Sequence, residues 1–136
     1  MQKAFLKPLL RASGVPLALV NTRSGRVIAN HVVGALDSTS RRKGLLGLDR
    51  FEEGHALVIA PTNAIHMFFM RFAIDVAFVR RDGVVVRTYH GIKPWRIAWA
   101  LRAYAAVELP SGTLRHTGTV AGDQLAITDA DRTTMF

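Results

Sequence analysis

The chain has 136 residues, enough for one domain with one hydrophobic core that buries roughly 68% of the unfolded surface. Its 18 lysines and arginines outnumber 10 acidic residues, a net charge of +8 that draws anionic partners in a salt-dependent way. Cysteine is absent, which excludes disulfides, thiolate zinc sites and cysteine nucleophiles and fits a reducing compartment.

Residues 1–13 mix Lys3, Lys7 and Arg11 with Phe5, Leu6, Leu9 and Leu10. Pro8 and Arg11 interrupt the apolar run and no small-residue cleavage site follows it, so the segment does not read as a secretory signal. Residues 1–16 are predicted to be a loosely docked basic arm, with a basic amphipathic turn as the alternative. A single β domain is expected over 17–128 and a polar tail over 129–136. No stretch approaches the ~18 consecutive apolar residues of a membrane-spanning helix. A soluble protein is expected, cytoplasmic by default.

The first strand is predicted over 17–21, followed by a turn at Thr22-Arg23-Ser24-Gly25 and a second strand over 26–33 that completes a hairpin. His31 lies in that second strand, where a lone histidine is ordinarily structural. Asp37, Ser38, Thr39 and Ser40 then offer N-caps for a short helix over 41–48, with Gly47 ending it in the left-handed conformation. The first turn of such a helix can present backbone amides and Arg41 to an anion. Placed there, Arg41-Arg42-Lys43 lie at the helix end that prefers acidic side chains. The ordinary reading is a tolerated surface cluster; the alternative is that Arg41 or Arg42 has another partner, Asp75 or Glu108.

A turn at Glu52-Glu53-Gly54 leads to a buried strand over 55–60, which Pro61-Thr62-Asn63 breaks. The next stretch, 65–79 (IHMFFMRFAIDVAFV), is apolar at both even and odd positions, the pattern of a strand buried on both faces. Arg71 points to an interruption near 71–73. Asp82-Gly83 is a hairpin signal because both positions tolerate positive φ, so 75–81 and 84–90 are predicted to pair antiparallel. Trp95 and Trp99, flanked by Lys93, Arg96 and Arg102, suit either the rim of a ligand site or a hydrophobic cap over a sheet end. A strand over 104–109 carries Glu108 in apolar surroundings. A turn or short helix follows Pro110 and ends near Gly118, and 124–128 forms the closing strand. Seven or eight short strands with one or two short helices describe a mainly β single domain, a β-sandwich or barrel-like fold.

The order of a Thr-Ser-Arg-x-x-Gly-Leu helix, IHMFFMRFAIDVAF, RDGVVV, KPWR, AVELPSG and VAGDQLAI resembles the family called domain of unknown function 192. The resemblance runs from about Thr39 to Ile127 and implies a mainly β, jelly-roll-like sandwich, with no established activity. It also implies a central motif of Ile-His-Thr, two variable residues, Met, then Phe-Pro-Ile-Asp-Val. Here the threonine is Met67, which removes a hydroxyl, and the proline is Ala73, which removes a fixed φ.

Two polar side chains inside apolar strand material, His66 and Asp75, make the candidate site. A carboxylate there must be paired or hydrogen-bonded, or its pKa rises, and a His–Asp pair lining a hollow permits acid–base chemistry. The candidate pocket comprises Asn63, His66, Asp75, Arg41 and Glu108, roofed by Trp95 or Trp99. No metal site or cofactor is expected: no second histidine stands at ligand spacing near His66, and no nucleophile elbow or phosphate loop is present. The sequence favours a domain that binds a small molecule or peptide in this pocket. One alternative is an accessory protein that binds nucleic acid or another polyanion through its arginines. The other is a hydrolase-like enzyme in which Asp75 orients His66.

Overall fold

In the computed structural model, residues 4–11 and 14–130 are described. After a 3-10 turn at Lys7–Leu10 come β1 (Leu17–Asn21), β2 (Val27–Ala29), β3 (His31–Ala35), helix α1 (Ser38–Lys43), β4 (His55–Ile59) and β5 (Ala64–His66). These are followed by β6 (Ile74–Val79), β7 (Val85–Ile92), β8 (Ile97–Trp99), β9 (Ala105–Pro110), α2 (Thr113–Thr117) and β10 (Leu125–Asp129). The protein is mainly β, with two short helices, and its sheets pack as a sandwich or partly closed barrel.

A five-stranded mixed sheet in the order β3-β4-β9-β6-β7 is the centre of the molecule. Every residue of β6 and of β9 is buried. This is the two-sided burial that the unbroken apolar runs predict, and it separates two cores of opposite parity. Ala77 and Val79 of β6, with Val107 and Leu109 of β9, face the three-stranded sheet β10-β1-β2 and Leu114 of α2. Val76 and Phe78, with Ala106, face Leu45, Ile65, Met67 and Ala98. Ile65 and Ala98 are the inward side chains of a small antiparallel flap, β5–β8, laid over that second face.

The hairpin at Asp82-Gly83 forms as predicted, with β6 and β7 antiparallel on either side. Asp82 accepts the Val84 amide at 3.1 Å, and Gly83 has φ 88°.

Three expectations change. The predicted second strand splits at Asn30: β2 stays with β1, whereas β3 crosses to the central sheet and pairs parallel with β4. A parallel pair needs a crossover, and α1 with the loop after it supplies one. The helix starts three residues earlier than predicted, because Asp37 and Ser40 form a reciprocal capping box, and it stops at Gly44 rather than Gly47. Arg41, Arg42 and Lys43 then occupy its last turn, where the helix dipole favours cations, and the expected electrostatic misfit disappears. The apolar run 65–79 breaks from Met67 onward, earlier than 71–73. Within the predicted N-terminal arm, Phe5 is 4% exposed in the first core and donates its amide to Arg81 O at 2.9 Å. Of the predicted tail, Asp129 ends β10 and residues 131–136 lie outside the described residues.

Candidate functional site

Asp75 and His66 lie apart. Asp75 is fully buried on the first-core face of β6 and is a structural anchor. Its Oδ1 accepts the Gly91 amide at 2.8 Å, at an irregularity in the β6–β7 pairing. Its Oδ2 accepts the amides of Gly112 and Leu114, each at 3.0 Å, which are free donors at the start of α2. Three backbone N–H groups fill the carboxylate, so neither Arg41 nor His66 is its partner. The His66–Asp75 acid–base pair considered from the sequence is not assembled.

Glu108 takes the other face. It sits on β9, the middle strand of the central sheet, with Leu57 of β4 on one side in register and Val76 of β6 on the other. The residue is only 5% exposed; its carboxylate oxygens open onto the neighbouring cavity and have no hydrogen bond or ion pair among the described residues. Burial pushes it up to about 7 from an ordinary value of 4.5. It lines a cavity of about 150 Å³ bounded by Arg41 to Leu46, Thr62, Ala64 to Met67 and Met70. The β3–α1–β4 crossover forms one wall and the β5–β8 flap with the loop after it forms the other.

The remaining polar groups sit around that opening. Arg41 donates to Leu36 O at 3.0 Å and to Ala60 O at 3.4 Å, which ties the end of α1 to both neighbouring strands. Arg42 and Lys43 are exposed, with no ion pair among the described residues. His66 is exposed on β5; its Nδ1 accepts the Phe68 amide at 3.3 Å, so the neutral ring carries its proton on Nε2 and presents a donor. The structure therefore combines a buried acceptor with a rim of donors: Arg41, His66 and Glu108 meet at one cavity.

The other candidates lie elsewhere. Asn63 is exposed, and its backbone carbonyl accepts the Ala100 amide. Trp95 packs against Phe68 and Phe69 on the flap and does not line the cavity. Arg42, which the sequence offered only as a partner for Asp75 or Glu108, lines the cavity, as do Lys43 and Met70, which were not sequence candidates. The basic run was the available signal for Lys43, and nothing in the sequence marked Met70. Met67, where the family resemblance implied threonine, is a buried apolar wall of the cavity.

The family model DUF192, described as "Uncharacterized ACR", matches residues 19–127. The chain belongs to this family. That placement fixes a kinship and a fold, and carries no activity. Among curated proteins no match was found. The fold of this DUF192 member is similar to that of two solved structures. One is a Sinorhizobium meliloti 1021 protein described as a "putative transcription regulator", with a TM-score of 0.69 and 22% identity over 82% of this chain and 91% of the other. The second is a Novosphingobium aromaticivorans DSM 12444 protein of unknown function, with a TM-score of 0.68 and 19% identity over 86% of this chain and 89% of the other. Identities this low speak to the fold alone.

Proposed function

We propose that this DUF192 member is a binding domain for a small polar ligand, or for the end of a peptide, held over Glu108. The supporting observation is Glu108 itself: the residue is nearly fully buried, its carboxylate has no protein partner among the described residues, and the carboxylate oxygens open onto the cavity the residue lines. A carboxylate placed among Leu57 and Val76 weakens the native state unless something donates to it, and a ligand carrying an amine or hydroxyl does so. A cavity of about 150 Å³ matches the size that admits a benzene-sized molecule. The donors of His66, Arg42 and Lys43 at the rim suit an acceptor or anionic group at the ligand's outer end. The preferred class is a small ampholyte, amine end inward.

For the arginines outside the flap, the reading that they serve a polyanion has less support. Arg23, Arg71 and Arg80 each engage an aspartate, and Arg81 and Arg87 lie over aromatic rings. The test is a fragment screen by amide chemical-shift mapping, with small amines, amino acids and simple carboxylates as probes. Amine-bearing fragments should perturb Ala64, Leu45 and Glu108, bind more tightly above pH 7 where the carboxylate is ionised, and lose that site in Glu108→Gln. Amines that bind elsewhere, or bind Glu108→Gln equally well, would refute the proposal.

A further inference from the structure

The outer face of the β5–β8 flap and the loops at its two ends carry large apolar side chains that the fold leaves uncovered. Phe69 is 71% exposed, Trp95 57% and Leu101 82%, with Phe68, Ile97 and Trp99 also exposed. The patch is continuous at its centre: His66 touches Phe68 at 4.8 Å, Phe68 touches Trp95 at 5.9 Å, and Trp95 touches Phe69 at 4.8 Å between ring centroids. His66 is also paired across the flap with Ile97, and Ile97 shares its strand face with Trp99. Two of these aromatics hold left-handed backbones, Phe69 at φ 64° and Trp95 at φ 72°. Bulky residues avoid that region. Short bonds from Trp95 N to Met67 O and from Met67 N to Arg96 O, 2.8 and 2.7 Å, keep the tip in that shape. Strain held in place at a surface marks a site where presenting the side chains matters.

The two segments that build the patch carry charge of one sign, and the nearby exposed Asp49 is paired with Arg71. Residues 62–74 and 83–107 contain no aspartate or glutamate. Lys93, Arg96 and Arg102 are exposed and have no ion pair among the described residues. We propose that this flap is a docking surface for an anionic phospholipid bilayer, with Phe69, Trp95 and Ile97 entering the headgroup boundary and Lys93, Arg96 and Arg102 meeting the phosphates. Indole rings favour that boundary, and an apolar wedge combined with basic side chains binds anionic leaflets reversibly.

Two other occupants fit less well. A second copy of the chain brings the same three cations and repels. Single-stranded nucleic acid needs free flat ring faces to stack on. Here the rings pack on one another at tilts of 31° and 60°, Arg87 covers Trp99 at 5.4 Å, and aliphatic Ile97 and Leu101 have nothing to stack with. This proposal is independent of the ligand over Glu108.

Both tryptophans of the chain, Trp95 and Trp99, lie in the patch, so intrinsic fluorescence reports on it directly. The experiment titrates the protein with vesicles of phosphatidylcholine alone and of phosphatidylcholine mixed with phosphatidylglycerol, with co-sedimentation alongside. A blue shift and sedimentation confined to the anionic vesicles, and weakened by salt, support docking. The double variant Lys93→Glu, Arg96→Glu should bind at least about twenty-fold more weakly, taking roughly fivefold per cation near the surface. Phe69→Gly with Trp95→Gly should lose most binding as well, and glycine takes both left-handed backbones without strain. Should the glycine pair fail to fold, the charge-reversed pair at exposed positions decides. No binding to anionic vesicles at low salt, equal binding to neutral ones, undiminished binding by the charge-reversed protein, or displacement of vesicles by a single-stranded oligonucleotide overturns the proposal.

Discussion

Replacing Glu108 with glutamine should make the protein more stable at neutral pH, and the gain should depend on pH in a defined sense. Burial raises the native carboxyl to about 7, against 4.5 when unperturbed. Below pH 4.5 both native and unfolded chains hold the proton, and the group contributes nothing. Between 4.5 and 7 the unfolded chain releases the proton while the native chain keeps it, so stability falls as pH rises. Above 7 both are ionised and the full penalty applies. At about 1.4 kcal/mol per pH unit, the interval amounts to about 3 kcal/mol. Glutamine has nearly the same shape and no charge, so the variant should match the native protein at pH 4.5 and exceed it by about 3 kcal/mol at pH 8. For a domain of this size that is roughly 10 °C in Tm. Urea unfolding of both proteins at several pH values measures the difference, and titrations elsewhere in the chain cancel in it. A gap that stays flat from pH 4.5 to 8 would mean that Glu108 is already satisfied in the free protein, and the reason for assigning a ligand to it would go.

The other predictions concern the scaffold. Asp75→Asn keeps the shape but sets an amide against backbone donors at Gly112 or Gly91; it should cost about 3 kcal/mol in urea unfolding while leaving amine binding by the folded fraction unchanged. Asp123 is buried and accepts from Arg23, Asn21 and Val120, and the Arg23 guanidinium first, then the other two donors, hold it below the usual carboxylate range. Its folded pKa is depressed, so its contribution is present above about 3.8 and lost as pH falls; Asp123→Asn should lose about 2 kcal/mol at pH 7, with the deficit shrinking below pH 3.8. A methyl group on Gly83 would stand 2.4 Å from Leu125 O and require a left-handed alanine; Gly83→Ala should lower Tm by several degrees, roughly 2 kcal/mol.

Alternation within each strand was legible from the sequence, and what lay between strands was not. Two-sided burial of β6, the Asp82-Gly83 hairpin and the closing strand β10 all follow from residue types at successive positions. The side on which His66 emerges relative to Asp75 depends on residues 67–73, where Phe69 turns left-handed and no count of even and odd positions survives. The split at Asn30 was hidden for a related reason. Apolar character runs on from β2 into β3, and only the partner strands show that the chain has changed sheets. The helix boundary was a contest between adjacent caps, and the reciprocal Asp37–Ser40 bonds decided it.

Glu108 is the instructive case, because the sequence showed an acid in an apolar strand just as it did for Asp75. Both lie in neighbouring strands of one sheet, both are buried, and both are carboxylates. Asp75 faces the side where α2 begins and is met by three amides, so its acceptor capacity is spent on the fold. Glu108 faces the side where the crossover and the flap stop short of one another, and no protein donor among the described residues reaches it. An unpartnered carboxylate at the middle of the central sheet adds nothing to the fold, and that is the ground on which Glu108 is proposed as a ligand site. The difference between the anchor and the proposed site is thus one of parity and of what covers each face, which local propensity does not encode.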